Sequence, residues 1–295
     1  MTRPVVVGYT ATDAGADALA VAARLARATD APLEIVIVLP DESRSVITPP
    51  DAGYARLVRD QAEQWLAQAR GHVGDAMTVS GSVRYAESFA EGLVVAAGQL
   101  DAGFLVVGAA NGGLRGRHFL GSVASELLHS ADVPVVLAPE GSRDVDPAAG
   151  LTRVTAAVGT RPGADVLLEE AVALAVAASV PLRLLSVETI DLPAGLDTGA
   201  IRIAGARHAQ EVLDAARAEL PAGLPSEAVI ARGEGIEDAV ADLTWDPAEI
   251  ALVGSSRLAQ PRRLFLGSTA AKMLRVLPVP LIVVPRTRPE EGERA

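Results

Sequence analysis

Short apolar runs alternate along this chain with longer stretches in which apolar residues recur every three or four positions. Val5–Val7, ending at Gly8, is the first run, and it predicts a strand. From about Asp13 to Ala28, Leu19, Ala22, Ala23 and Leu25 share one face of a helix. Leu33–Val38 is a second strand, and Pro40 to Gly53 a polar loop. Tyr54 to Arg70 reads as a helix with Leu57, Trp65 and Leu66 as core positions. Met77–Val83 alternates as a strand, Ala86–Gln99 is helical, and Phe104–Val107 is a buried strand. A helix from about Ser122 and a strand at Val135–Leu137 follow. The order then repeats: strand Val154–Val158, helix Ala164–Ala178, strand Leu182–Val187, helix Ile201–Leu220, strand Ala228–Ala231, helix Gly235–Leu243, strand Ile250–Val253, a helix from Ser268, and strand Leu281–Val284. Wholly apolar strands separated by helices predict a parallel sheet covered on both faces. Right-handed crossovers make each half doubly wound. The expected fold is α/β: two tandem doubly wound domains, each a five-stranded parallel sheet with helices on both faces.

The repetition extends to the residues. Phe119 to Pro139 returns 146 positions later as Phe265 to Pro285, with nine of 21 positions identical, and Val106-Val-Gly108 is matched by Leu252-Val-Gly254. Solenoid units run to roughly 20–50 residues, so a period this long marks two whole domains. They are placed at 1–140 and 151–286. A linker rich in Pro, Gly and Asp lies at 141–150, and a charged tail at 287–295 is expected to be disordered.

Composition narrows the function. The chain of 295 residues carries a formal net charge of −11, which repels nucleic acid and anionic lipid. No cysteine is present, which excludes disulfides, thiolate metal sites and a cysteine nucleophile. The N-terminus lacks the apolar core of a signal peptide, and no apolar stretch is long enough for a membrane span. A cytoplasmic location is expected. With only 3% aromatic residues, the cores must be aliphatic.

The chemistry concentrates in the loop after the fourth strand of each half. In a doubly wound sheet, ligands bind beyond the carboxyl ends of the strands, where strand order reverses. Gly108 ends that strand, and Gly121-Ser122 precedes the next helix. Between them, Gly112, Gly113 and Gly116 allow close backbone approach, Arg115 and Arg117 add positive charge, and His118 could touch a phosphate. Ser122 is expected as the N-cap, at a helix start whose free N–H groups suit an anion. Arg257, Arg262 and Arg263 accompany Gly267-Ser268 in the second half. Taken one at a time, these residues also fit plain loop geometry, caps and solvated charge.

Gly-x2-Gly-x9-Gly-Ser/Thr, followed by a helix and Val-Pro-Val-Val, resembles the universal stress protein family in a tandem form covering nearly the whole chain. The resemblance implies an α/β nucleotide-binding fold, frequent ATP binding with Mg2+, and pairing of domains through the fifth strand, here Val135–Leu137 against Leu281–Val284. The implied contacts are Thr10, Val38, Gly108, Asn111, Gly112, Gly121, Ser122 and Val123 in the first half, and Gly254, Gly267, Ser268 and Thr269 in the second. Two departures bear on it. The middle glycine is Asn111 in one loop and Arg257 in the other, and the family's aspartate after the first strand is replaced by Thr10 and by Gly159. Thr10 keeps a hydroxyl and Gly159 has no side chain, so the nucleotide is expected in the first half rather than the second.

No Walker loop, dinucleotide fingerprint or nucleophile elbow occurs. His72, His118, His129 and His208 show no metal spacing; His72 and His208 read as surface residues, and Glu169-Glu170 as a solvated helix face. Nothing is equipped to activate a nucleophile or a water, so no enzymatic activity is expected. The expected function is a cytoplasmic, adenine-nucleotide-binding stress regulator, an internal pseudo-dimer open to a further homodimer and to an unidentified protein partner. The alternative is a degenerate scaffold that binds no nucleotide and works through protein contacts.

Overall fold

The structure is a computed structural model, and it describes residues 2–41, 52–74, 77–109, 121–159, 163–189, 199–255 and 267–285. The first half runs β1 (Val5–Gly8), α1 (Asp13–Ala28), β2 (Leu33–Pro40), α2 (Ala52–Val73), β3 (Val79–Ala86), α3 (Phe89–Gln99), β4 (Phe104–Gly108), α4 (Ser122–Ser130) and β5 (Val135–Ala138). The second runs β6 (Val154–Ala157), α5 (Ala164–Ala178), β7 (Leu182–Thr189), α6 (Gly199–Ala218), β8 (Ser226–Gly233), α7 (Ile236–Ala241), β9 (Ile250–Gly254), α8 (Ser268–Leu274) and β10 (Leu281–Val284).

All ten strands form one sheet in the order β3-β2-β1-β4-β5-β10-β9-β6-β7-β8. Each half is parallel throughout, and the halves share a register: Val5 lies opposite Leu33, and Val154 opposite Leu182. Only the join is antiparallel, with Leu281 opposite Leu137, Ile282 opposite Val136 and Val283 opposite Val135. The fifth strands therefore pair as the resemblance implied. One face is packed by α1, α2, α5 and α6, and the other by α3, α4, α7 and α8. β1, β5 and β10 consequently have no exposed face, which accounts for their unbroken Val, Leu and Ile.

Several expectations need correction. Leu57 is 67% exposed. The inward stripe of α2 is Val58, Ala62, Leu66, Ala69 and Val73, at helical spacing, and Leu57 lies off it; Trp65 is only partly buried beside that stripe. The third strand starts at Val79 and runs to Ala86, so α3 begins at Phe89, where the Ser88 side chain accepts a hydrogen bond from Glu91 N at 3.0 Å. Neither Ser122 nor Ser268 is an N-cap. Gly121 and Gly267 occupy the caps without side-chain hydrogen bonds, and each serine is the first helical residue.

The stretch between the halves holds two 3-10 turns, Ser142–Asp144 and Pro147–Ala149, folded against α1. Arg143 donates from its backbone N to Asp17 Oδ1 at 2.9 Å, and its guanidinium reaches Asp17 Oδ2 at 2.8 Å and Asp13 Oδ2 at 3.1 Å. Burial pushes the Asp17 carboxyl above the usual carboxylate range, and the Arg143 N–H and charge pull it back. Farther along α1, the buried Arg24 donates to the Pro247 carbonyl at 3.4 Å, so this helix also touches the second half. The expected tail at 287–295 lies outside the described residues.

Candidate functional site

Strand order reverses between β1 and β4 in the first half, and between β6 and β9 in the second. These are the two places where a ligand crevice is expected.

In the first crevice, α1 packs closely over the end of β4. A Cβ at Gly108 would fall within contact of the Ala14 carbonyl oxygen, with the Ala14 carbonyl carbon at 2.8 Å and the Ala14 Cβ at 3.0 Å. On β1, a Cβ at Gly8 would meet Leu93 Cδ1 at 2.5 Å. Thr10 Oγ1 is engaged with Thr12 Oγ1 at 2.9 Å, and Thr12 in turn caps α1 by accepting from Gly15 N at 3.3 Å. Val38 packs against α3, where a Cβ at Gly92 would lie 2.5 Å from its Cγ1. Ser122 is exposed and Val123 half-buried on the first turn of α4. Asn111 and Gly112 lie outside the described residues, as do Arg115, Arg117 and His118.

The second crevice is open. A hollow of about 300 Å³ lies at the carboxyl ends of β6 and β9. Its floor is Ala157, Val158, Gly159, Val253, Gly254 and Ser255. Gly163, Ala164 and Leu167 at the start of α5 form one wall, and Leu185, Ser186 and Val187 of β7 another. His208 and Val212 come from α6, and Gly267, Thr269, Ala270 and Met273 from α8 and its cap. A Cβ at Gly254 or Gly159 would meet no described residue within 4 Å. The halves differ at the link from first strand to first helix. It is four residues long before α1 (9–12) and six before α5 (158–163), where Gly163 takes the left-handed conformation at φ 91°. The shorter link brings the first turn of α1 down onto Gly108. No described residue of the longer one covers Gly254.

Among the described residues, then, the hollow lies in the second half, whereas the sequence placed the nucleotide in the first. Of the sequence-predicted residues in the second half, Gly254, Gly267 and Thr269 line the hollow, and Ser268 is exposed beside it. Val187 occupies the β7 position that Val38 holds in β2, since Leu182 and Leu33 open equivalent registers. His208 is exposed as expected, yet it lines the hollow. Sequence reasoning missed Ser186, Val212 and Met273. The one available signal was Ser186, a polar residue where the matching strand has Ile37.

His208 is the one titratable side chain among the described residues lining the hollow. The strongest charge cluster lies at the other end of the same strands. Glu249, with no exposed surface, accepts from Arg183 Nη2 at 2.6 Å, from Arg153 Nη2 at 2.7 Å, and from the Thr155 hydroxyl. Arg183 also stacks over Trp245, 4.4 Å from the ring centroid, and donates to the Thr244 carbonyl at 3.0 Å. Burial lowers the Arg183 pKa and the Glu249 charge opposes that, while the hydrogen bond to Glu249 raises Arg153. This ion-paired cluster at the amino ends of β6, β7 and β9 fastens these strands together. Among the described residues, no group of three or more potential metal ligands occurs. No described helix is long and apolar enough to cross a membrane.

The family model described as "Universal stress protein family" matches residues 1–139 and again 150–285. Universal stress proteins of Mycobacterium tuberculosis and Mycobacterium bovis are each 31% identical over 297 residues, spanning 95% of this chain and 99% of theirs. A universal stress protein structure from Archaeoglobus fulgidus shares the fold across 97% of this chain and 100% of its own, with a TM-score of 0.68 at 18% identity.

Proposed function

Because the chain belongs to the universal stress protein family, we propose that it is an adenine-nucleotide-binding stress regulator whose ligand lies in the hollow between β6 and β9. One observation carries this reading: Gly254, which ends β9 at the reversal of strand order, lines the hollow and has no described residue where its Cβ would stand. The volume falls at the lower end of ligand pockets, roughly 300–1,000 Å³. Its floor of Ala157, Val158 and Val253 suits a planar base. The described lining offers no carboxylate for magnesium, so the reading is of the nucleotide without a resident metal. It binds and does not turn over its ligand, since the hollow presents no paired acid and base.

The first half, closed by Ala14, acts as the scaffold of the pair. This keeps the alternative of a non-binding scaffold for one copy only. Location in the cytoplasm belongs to the same proposal.

Isothermal titration with AMP and ATP, with and without Mg2+, tests the reading. One nucleotide per chain is expected, abolished by Gly254→Leu and retained in Gly121→Leu. No heat at high micromolar protein would overturn it, as would retention of full affinity in Gly254→Leu.

A further inference from the structure

Two polar side chains at the second hollow have no partner among the described residues. Ser186 is only 8% exposed, and its hydroxyl makes no hydrogen bond among the described residues. Alternation along β7 puts Ser186 on the same side as Leu184, the face covered by α5 and α6. His208 stands on α6, exposed, with its imidazole likewise unpartnered among the described residues. The first half shows what this position takes when no ligand is served. Counted from the paired residues Leu33 and Leu182, the residue matching Ser186 is Ile37, which is buried in the core. The Ser186 hydroxyl opens onto the hollow, where it can meet a ligand, whereas Ile37 is packed away in the core. The second half keeps the hydroxyl in its hollow.

We propose that Ser186 and His208 are ligand-binding residues. Ser186 hydrogen-bonds the buried, uncharged part of the ligand, and His208 donates from an imidazole N–H to its anionic part at the rim. This rests on the reading of the second hollow as the nucleotide site. It assigns that site a ligand with two distinct ends, a polar apolar-faced head and an acidic tail, as in a nucleoside monophosphate. It also assigns selectivity to residues outside the glycine loop.

The test is titration of the full chain with AMP and with adenosine as separate probes, for wild type, Ser186→Ala and His208→Ala. Ser186→Ala should weaken both probes by a similar factor, about fivefold for one lost hydrogen bond. His208→Ala should weaken AMP by about tenfold, as for a bond to a charged group, and leave adenosine unchanged. Neither change removes a core side chain, and thermal melts check that both variants remain folded. If wild type binds AMP and both variants bind it within twofold, the assignment is overturned while the nucleotide reading stands. An equal loss of AMP and adenosine in His208→Ala overturns the role given to that residue. If wild type binds neither probe, the nucleotide reading fails and takes this assignment with it.

Discussion

Alanine at Gly108 and alanine at Gly254 are the same substitution at the ends of matching strands, β4 and β9. In Gly108→Ala the new methyl would lie 2.8 Å from the Ala14 carbonyl carbon, and ordinary contact begins near 3.4 Å. At least 0.6 Å (3.4 − 2.8) must be recovered, and more at the carbonyl oxygen. The obstruction is backbone, so no side-chain rotation relieves it. Nor can α1 withdraw freely, because Thr12 caps it and Arg143 holds Asp13 and Asp17. Overpacking of this kind costs about 1–3 kcal/mol. For a chain of this size that lowers Tm by roughly 2–5 °C. Gly254→Ala meets no described residue within 4 Å and sits outside the left-handed region. It reduces the freedom of the unfolded chain, so stability should be unchanged or higher by up to about 1 kcal/mol. Urea and thermal unfolding of the two variants side by side measure the difference. Equal losses of Tm would refute the asymmetry between the crevices, and with it the argument for a single open site.

Glu249→Ala strands two arginines, one of them buried, and should cost about 3–5 kcal/mol in urea unfolding. A loss under 1 kcal/mol would show that the cluster does not fasten the strands. Arg143→Ala removes the charge paired with a carboxylate that is 1% exposed. The backbone bond from residue 143 survives, so a loss of about 1–3 kcal/mol is expected rather than complete unfolding. Asp246 is held below the usual carboxylate range by hydrogen bonds from Ala248 N and the Thr152 hydroxyl. Its stabilising contribution is therefore present above the ordinary carboxylate pKa and lost as pH falls through the lowered folded value. Asp246→Asn should flatten that part of the acid limb of a Tm-against-pH curve, and an identical limb would contradict the assignment.

Much of the architecture was legible in the chain because burial on both faces leaves an unambiguous mark. Leu281–Val284 and Asp13–Ala28 lie where apolar runs and periodicity put them. The half-buried elements were less legible. β3, at the edge of the sheet, has only intermediate or exposed positions, so its ends shifted, and Leu57 could not be told from a core leucine without knowing which stripe of α2 turns inward. Which half carries the described hollow was not legible for a geometric reason. The identities of Thr10 and Gly159 do not tell how far α1 and α5 reach back over β4 and β9. Two residues of link length decide that. Ser186 carried a signal that could have been read: a hydroxyl within an apolar strand, opposite an isoleucine in the other copy.

The antiparallel seam between β5 and β10 has a consequence for how the two copies can evolve and be handled. Each copy supplies the cover for the other's raw strand edge, at a local concentration set by the covalent tether rather than by expression level. A copy cut free would carry a bare edge of Val135–Leu137 or Leu281–Val283 and would seek a twin. Kept together, one copy can surrender its own crevice without loss of assembly, so the pair can divide its labour: one member to brace, the other to receive.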